Sequence, residues 1–146
     1  MTTILFVCIH NSARSQMAEA FVNAMASDRM QAQSAGLEAG SLNPRVVAVM
    51  AESGIDISLK RSKTVQEMLE AKKSFDYVVT VCDAAAAERC PLFPGRALRR
   101  TWSFPDPSSL QGDEEHILES IRIVRDQIKQ AVQELIVEID SLGAGA

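Results

Sequence analysis

Cysteine, histidine and the larger aromatic residues are all rare in this chain of 146 residues. It has three Cys, two His, one Trp and one Tyr. Long hydrophobic runs are missing: none approaches the roughly 18 residues of a membrane span. Positive charge is in deficit as well. The net charge of −4 argues against nucleic acid or an anionic membrane surface as the main partner. The two histidines, His10 and His116, do not make a metal site with the cysteines, because the spacing is wrong and the count low. The N-terminus enters an apolar strand within three residues, which leaves no room for a signal peptide, so the expected compartment is the cytoplasm. In a reducing compartment three thiols point to catalysis or redox chemistry more than to structure. There is no internal repeat, low-complexity linker or break in composition, so one domain over 1–146 is expected. Its 47% hydrophobic content suffices for a core.

What is present is organised around the first loop, Val7-Cys8-Ile9-His10-Asn11-Ser12-Ala13-Arg14-Ser15. An apolar stretch, Ile4-Leu5-Phe6-Val7, precedes it and suits a buried strand. Met17, Phe21 and Met25 follow at the spacing of a helix face. The loop therefore joins a strand end to a helix start. Backbone N–H groups converge there, and the helix dipole favours an anion. Five residues separate the thiol of Cys8 from the guanidinium of Arg14. Thiols in such electropositive sites ionise readily. The planar fork of an arginine suits a tetrahedral oxyanion. These residues predict a thiolate nucleophile aimed at a phosphate-like anion. The bland alternative is that Cys8 is a small buried hydrophobe at a strand end.

Strands are expected over 3–8, 30–36, 75–81 and 99–102. A helix is expected over 15–26. Another opens at Asn43-Pro44, with Asn as N-cap and Pro at the first helical position, and stops near Gly54. A short helix covers 65–69. A long one opens at Asp113, with Glu114 and Glu115 at its positive dipole end. Its stripe of Ile117, Ile121, Val124, Ile128, Val132, Leu135 and Ile139 predicts packing against a sheet. The basic run Lys60-Arg61-Ser62-Lys63 reads as a solvated turn or as a rim of the anion site. Strands alternating with helices predict an α/β fold: a parallel sheet with helices on both faces and ligands beyond the carboxyl ends of the strands. Cys8 sits at one such end and Cys82 directly after another.

Two further segments carry chemistry. Cys82 and Cys90 flank Asp83-Ala84-Ala85-Ala86-Ala87-Glu88-Arg89, a good N-cap followed by strong helix formers. If 83–89 is helical, eight residues set the two thiols roughly 12 Å apart. A disulfide needs Cα atoms within about 7 Å, so bonding them requires this segment to unwind. The alternative is that both thiols are structural. In Trp102-Ser103-Phe104-Pro105-Asp106-Pro107 the second proline biases Asp106 to an extended backbone, which can aim its carboxyl into a site. Asp-Pro is otherwise a common turn.

The loop resembles the C-x5-R-S signature of the low-molecular-weight protein tyrosine phosphatase superfamily. Asn11-Ser12 and Arg14-Ser15-Gln16-Met17-Ala18-Glu19 are closer to the arsenate reductases of that fold, and the likeness runs to about Ile139. Two positions depart from the pattern. Ala13 stands where those reductases usually carry a second, non-essential Cys. His10 stands where the family usually has Gly, which permits positive φ; His10 can also add positive charge beside the anion. The Cys82–Cys90 segment resembles the redox segment of thioredoxin-coupled arsenate reductases, and the segment around Asp106 resembles the family's general-acid loop. Ser108-Ser109 replace the aromatics that usually follow Asp-Pro in the tyrosine phosphatases, which suits a small inorganic anion better than phosphotyrosine.

The resemblance implies a single domain with a four-stranded parallel sheet. It implies arsenate bound by Ile9, His10, Asn11, Ser12, Ala13, Arg14 and Ser15, with phosphate or sulfate competing. Cys8 attacks, Asp106 is the general acid, Ser15 stabilises the thiolate and Asn11 holds the loop. Cys8, Cys82 and Cys90 then act in series, with thioredoxin as electron donor and no bound metal or organic cofactor. The main alternative is a low-molecular-weight protein tyrosine phosphatase that hydrolyses phosphate monoesters through a phospho-Cys8 intermediate; a second is an oxyanion-binding or redox-sensing domain that uses the thiols without turnover.

Overall fold

The computed structural model describes residues 1–11, 13–38, 40–81, 97–107 and 110–144. In chain order these form β1 (Thr2–Cys8), α1 (Arg14–Met25), β2 (Met30–Gly36), α2 (Pro44–Glu52), α3 (Val65–Glu70), β3 (Tyr77–Thr80), β4 (Leu98–Thr101) and α4 (Glu114–Ala144). The strands make one sheet in the order β2-β1-β3-β4. Every pairing is parallel: Cys8 lies opposite Gly36, Val7 opposite Thr80, and Thr80 opposite Thr101.

β1 is the centre because it can be buried on both faces, as its continuous apolar run requires. Ile4, Phe6 and Cys8 point into the larger core, with Tyr77 and Val79, beneath α1, α2 and α4. Leu5 and Val7 point the other way and meet Val78, Phe75 and the α3 residues Val65 and Met68. Helices thus cover both faces among the described residues, three on one side and α3 on the other. All seven residues of the predicted α4 stripe are buried.

Helix starts follow local chemistry. Asn43 caps α2 by accepting from the Arg45 N–H at 2.9 Å, with Pro44 next. Asp113 accepts from the His116 N–H at 2.8 Å. Thr64 and Glu67 form a reciprocal capping box at α3. Differences from the expected bounds are confined to element ends. β3 is shorter than 75–81, although Phe75 and Val81 are buried beside it. β4 runs one residue earlier, and α1 begins at Arg14. The expected helix over 83–89, Cys82 and Cys90 lie outside the described residues. No helix among the described residues is long and apolar enough to cross a membrane.

Candidate active site

β1 delivers Cys8 to the carboxyl edge of the sheet, where it is 3% exposed. The chain turns over the sulfur and enters α1. Ala13, at the N-cap position, offers no side-chain cap to that helix, and its first turn holds no acidic residue. Among the described residues, then, no side chain caps the positive end of α1, an arrangement that suits an anion there.

Two polar groups meet the sulfur. The Asn11 N–H reaches Cys8 Sγ at 3.2 Å, and Ser15 Oγ lies 2.8 Å away. Asn11 Nδ2 also donates to Ser15 Oγ at 2.8 Å. That bond occupies one of the hydroxyl's two lone pairs and leaves its proton free to turn to the sulfur. With Cys8 ionised, the Asn11 N–H and the Ser15 hydroxyl would both donate to its sulfur.

Asn11 fixes the loop. Its φ is 54°, in the left-handed region that Asn tolerates better than most residues. Its Oδ1 accepts from the Lys63 N–H at 2.8 Å and from Gln16 Nε2 at 3.0 Å. Gln16 Nε2 also reaches the Arg61 carbonyl at 3.0 Å, and Ser62 Oγ donates to the His10 carbonyl at 2.7 Å. The 61–63 backbone thus clamps the loop from one side. Two glycines admit it from the other. A Cβ at Gly36 would lie 2.7 Å from the His10 carbonyl carbon and 2.8 Å from the Asn11 nitrogen; one at Gly40 would lie 2.6 Å from the His10 oxygen. These are backbone atoms and cannot step aside.

The opposite wall comes from the chain after β4. Trp102 packs on Phe6 with ring centroids 5.7 Å apart and meets Phe104 edge-on at 6.2 Å. This stacking sets the path of Phe104-Pro105-Asp106. Buried Arg14 donates from Nη1 to the Phe104 carbonyl at 3.1 Å, and its Nη2 stands 3.8 Å from Asp106 Oδ2. Cys8, Asn11, Arg14 and Ser15, from one continuous stretch, therefore come together with Asp106 from a second segment.

The model of the family described as low molecular weight phosphotyrosine protein phosphatase matches residues 3–143. The chain belongs to the low molecular weight phosphotyrosine protein phosphatase family. Within this family it is similar to an arsenate reductase of Shouchella clausii, 42% identical over 125 residues that cover 86% of this chain and 88% of that protein. It is 40% identical to an arsenate reductase of Bacillus subtilis over 131 residues, 90% of this chain and 92% of the relative. Among solved structures, an arsenate reductase in the phosphate binding state superposes with a TM-score of 0.77 at 31% identity, covering 95% of this chain and 99% of that one.

Set on the family fold, three sequence expectations change in detail. The positive φ falls on Asn11, not on His10, so the family's glycine can be replaced there without left-handed strain. The His10 side chain is half exposed, with Nδ1 3.9 Å from Glu38 Oε2. Lys60 and Lys63 do not rim Cys8; both turn to buried Glu19, at 2.9 and 3.8 Å, and only the backbone of their segment serves the loop. Gln16, Ser62, Gly36 and Gly40 do not stand out in the sequence as loop supports. The signals available are indirect: Gly36 closes a predicted strand, Gln16 falls in the reductase-like run and Ser62 in the basic run. Ile9 and Ala13 line the turn through their backbone: the Ile9 carbonyl accepts from Glu38 N–H at 2.9 Å and the Ala13 carbonyl from Met17 N–H at 3.0 Å. Ser12, Cys82 and Cys90 lie outside the described residues. Val81, just before Cys82, donates to the Val7 carbonyl at 2.8 Å, next to the loop's start. Among the described residues no group of three His, Cys, Asp or Glu is gathered to hold a metal ion.

Proposed function

We propose that the protein is an arsenate reductase that uses thioredoxin as electron donor. The observation that carries this reading is the Cys8 sulfur, met by the Asn11 N–H and the Ser15 hydroxyl at the start of α1, with Arg14 in the same loop and Asp106 3.8 Å from its guanidinium. Similarity to arsenate reductases over most of the chain supports the choice of oxyanion. Two further thiols, Cys82 and Cys90, supply the electrons that a reductase needs and a phosphatase does not.

Arsenate sits over α1, held by backbone N–H groups of 9–15 and by the Arg14 fork. The Cys8 thiolate attacks arsenic and forms an S–As bond. Asp106 protonates the departing oxygen, which leaves as water. The Cys82 thiolate then attacks the Cys8 sulfur. The S–As bond breaks, its electron pair stays on arsenic, and arsenic(V) becomes arsenic(III). Arsenite leaves and Cys8–Cys82 is a disulfide. Cys90 attacks Cys82, frees Cys8 as thiolate and leaves Cys82–Cys90, which the thioredoxin dithiol reduces by exchange. Each turn consumes two electrons and two protons from thioredoxin. The chemistry needs no bound metal or organic cofactor, phosphate and sulfate compete for the same loop, and the cytoplasm is the compartment that keeps the thiols reduced.

The competing reading is a tyrosine phosphatase, favoured by the same Cys8, Arg14 and Asp106 and by the family's own chemistry. The two part at the extra thiols. Arsenate turnover coupled to thioredoxin, lost in Cys82→Ser and in Cys90→Ser, supports the reductase. Aryl phosphate hydrolysis indifferent to both changes, without arsenate turnover, supports the phosphatase.

A further inference from the structure

A second concentration of charge lies along the edge strand β2. A cavity of about 630 Å³ opens there, lined by Asn23 and Glu19 of α1, by Gln33, and by Lys60, Lys63 and Lys73. It shares no lining residue with the group of Cys8, Arg14 and Asp106. Among the described residues Glu19 is its single acidic one. Lys60 Nζ lies 2.9 Å from Glu19 Oε2 and Lys63 Nζ 3.8 Å from Oε1, while Ser34 Oγ donates to Oε1 at 3.2 Å. Among the described residues Lys73 Nζ donates to the neutral Gln33 Oε1, at 3.1 Å. Three ammonium groups thus face one carboxylate, in a chain whose net charge is −4. One lysine would neutralise Glu19; the other two charges have no further carboxylate among the described lining residues. The strain registers at Lys63. Burial pushes its ammonium below the ordinary lysine value, and Lys60, Arg61 and Lys73 push the same way against the pull of Glu19.

A peptide strand is not the natural occupant. The Asn23 side chain already donates to the Ala32 carbonyl at 3.0 Å and accepts from the Ala32 N–H at 2.9 Å. Farther along, the Gly36 N–H donates to the Lys63 carbonyl at 2.7 Å. The outward backbone groups that an added strand would need at these positions are taken. The volume falls in the range of small-molecule sites. It exceeds what one tetrahedral oxyanion fills, and the lysines are anchored at two separate points, Glu19 and Gln33.

We propose that this cavity is a second anion site that takes a compact polyphosphate, a run of two or three phosphoryl groups either free or carried by a nucleotide. Lysine ammoniums act as point charges for such groups. The site is independent of the reductase reading.

Calorimetric titration with inorganic tripolyphosphate, at low salt and without divalent cation, tests it on the full chain. Arg14→Ala silences the Cys8 loop, and Lys73→Glu alters an exposed side chain. The expected result is that Arg14→Ala keeps a tripolyphosphate site, and that adding Lys73→Glu weakens that site about tenfold or more. Amide shifts in the wild-type protein, which need no variant to fold, should then move at 33, 60, 63 and 73. ATP without divalent cation replaces tripolyphosphate in a second arm. Equal affinity assigns the site to the phosphate chain alone, and tighter ATP binding assigns it to a nucleotide. Binding that vanishes in Arg14→Ala, is unchanged by Lys73→Glu, or shifts amides only within 9–15 overturns the proposal.

Discussion

At Asn11 one side chain and one amide do several tasks at once. The residue holds a left-handed turn, donates to the Cys8 sulfur and to Ser15, and accepts from Lys63 and Gln16. Replacing it by Ala strands buried partners and adds left-handed strain. Asn11→Ala is expected to lower stability by about 2–4 kcal/mol. Asn11→Gly keeps the φ and should recover about 1 kcal/mol of that loss. Denaturant unfolding of the pair measures both. On the proposed mechanism Ser15→Ala removes one hydrogen bond to the Cys8 thiolate, worth about 1.5–3 kcal/mol, so turnover should fall about 10–100-fold, and Tm should fall too because buried Asn11 Nδ2 loses its acceptor. Asp106→Asn keeps the shape but cannot give a proton. On the proposed mechanism its rate falls by about 10²–10⁴. A variant that binds arsenate as wild type does but turns over slowly is the expected outcome. Cys8, Arg14, Ser15 and Asp106 are legible in the sequence because each is a reactive or directional group in a restricted local setting. Gln16 and Ser62 are not, since a polar side chain reaching a backbone carbonyl 45 or 52 residues away leaves no local pattern.

Between elements, the legible features are those with a period or a cap. The α4 stripe, the Asn43-Pro44 start and the apolar run of β1 each follow from neighbours in the chain. The packing of β2 against the Cys8 loop does not. Gly36 and Gly40 matter because a different segment presses on them, so the requirement appears only once the sheet is assembled. Gly36→Ala should displace the loop, weakening oxyanion binding and lowering Tm together, as calorimetry with phosphate and thermal unfolding would show. The junction of α4 with the rest is electrostatic at its rim. Hydrogen bonds from Arg122, Arg45 and Arg29 hold Glu52, Glu114 and Asp140 respectively below the usual carboxylate range. A lowered carboxylate stabilises the fold above its unfolded value and ceases to as pH falls through its folded one. Tm should therefore stay level above about pH 5 and drop below about pH 4. Arg122→Gln should make that drop shallower, and added salt should do the same.

The whole molecule is a parallel sheet with its chemistry at the carboxyl edge, as the alternation of strands and helices along the chain implies. The fold brings Arg14, six residues after Cys8, within 3.8 Å of Asp106 from beyond the last strand. The same edge receives the end of β3, from which the chain continues to Cys82. The switch argued for Cys82 and Cys90 belongs to this scale. If a helix over 83–89 must unwind to let the two thiols bond, amide exchange there should be slow in the reduced protein and markedly faster in the oxidised one. Equal exchange in both forms would contradict the switch.

The reductase itself is tested most directly by arsenate-dependent NADPH oxidation with thioredoxin and thioredoxin reductase, run on wild type, Cys82→Ser and Cys90→Ser side by side. The account predicts turnover in wild type and its loss in both variants. No arsenate turnover in wild type, with aryl phosphate hydrolysis untouched by either substitution, would contradict it and make the protein a phosphatase with two bystander thiols.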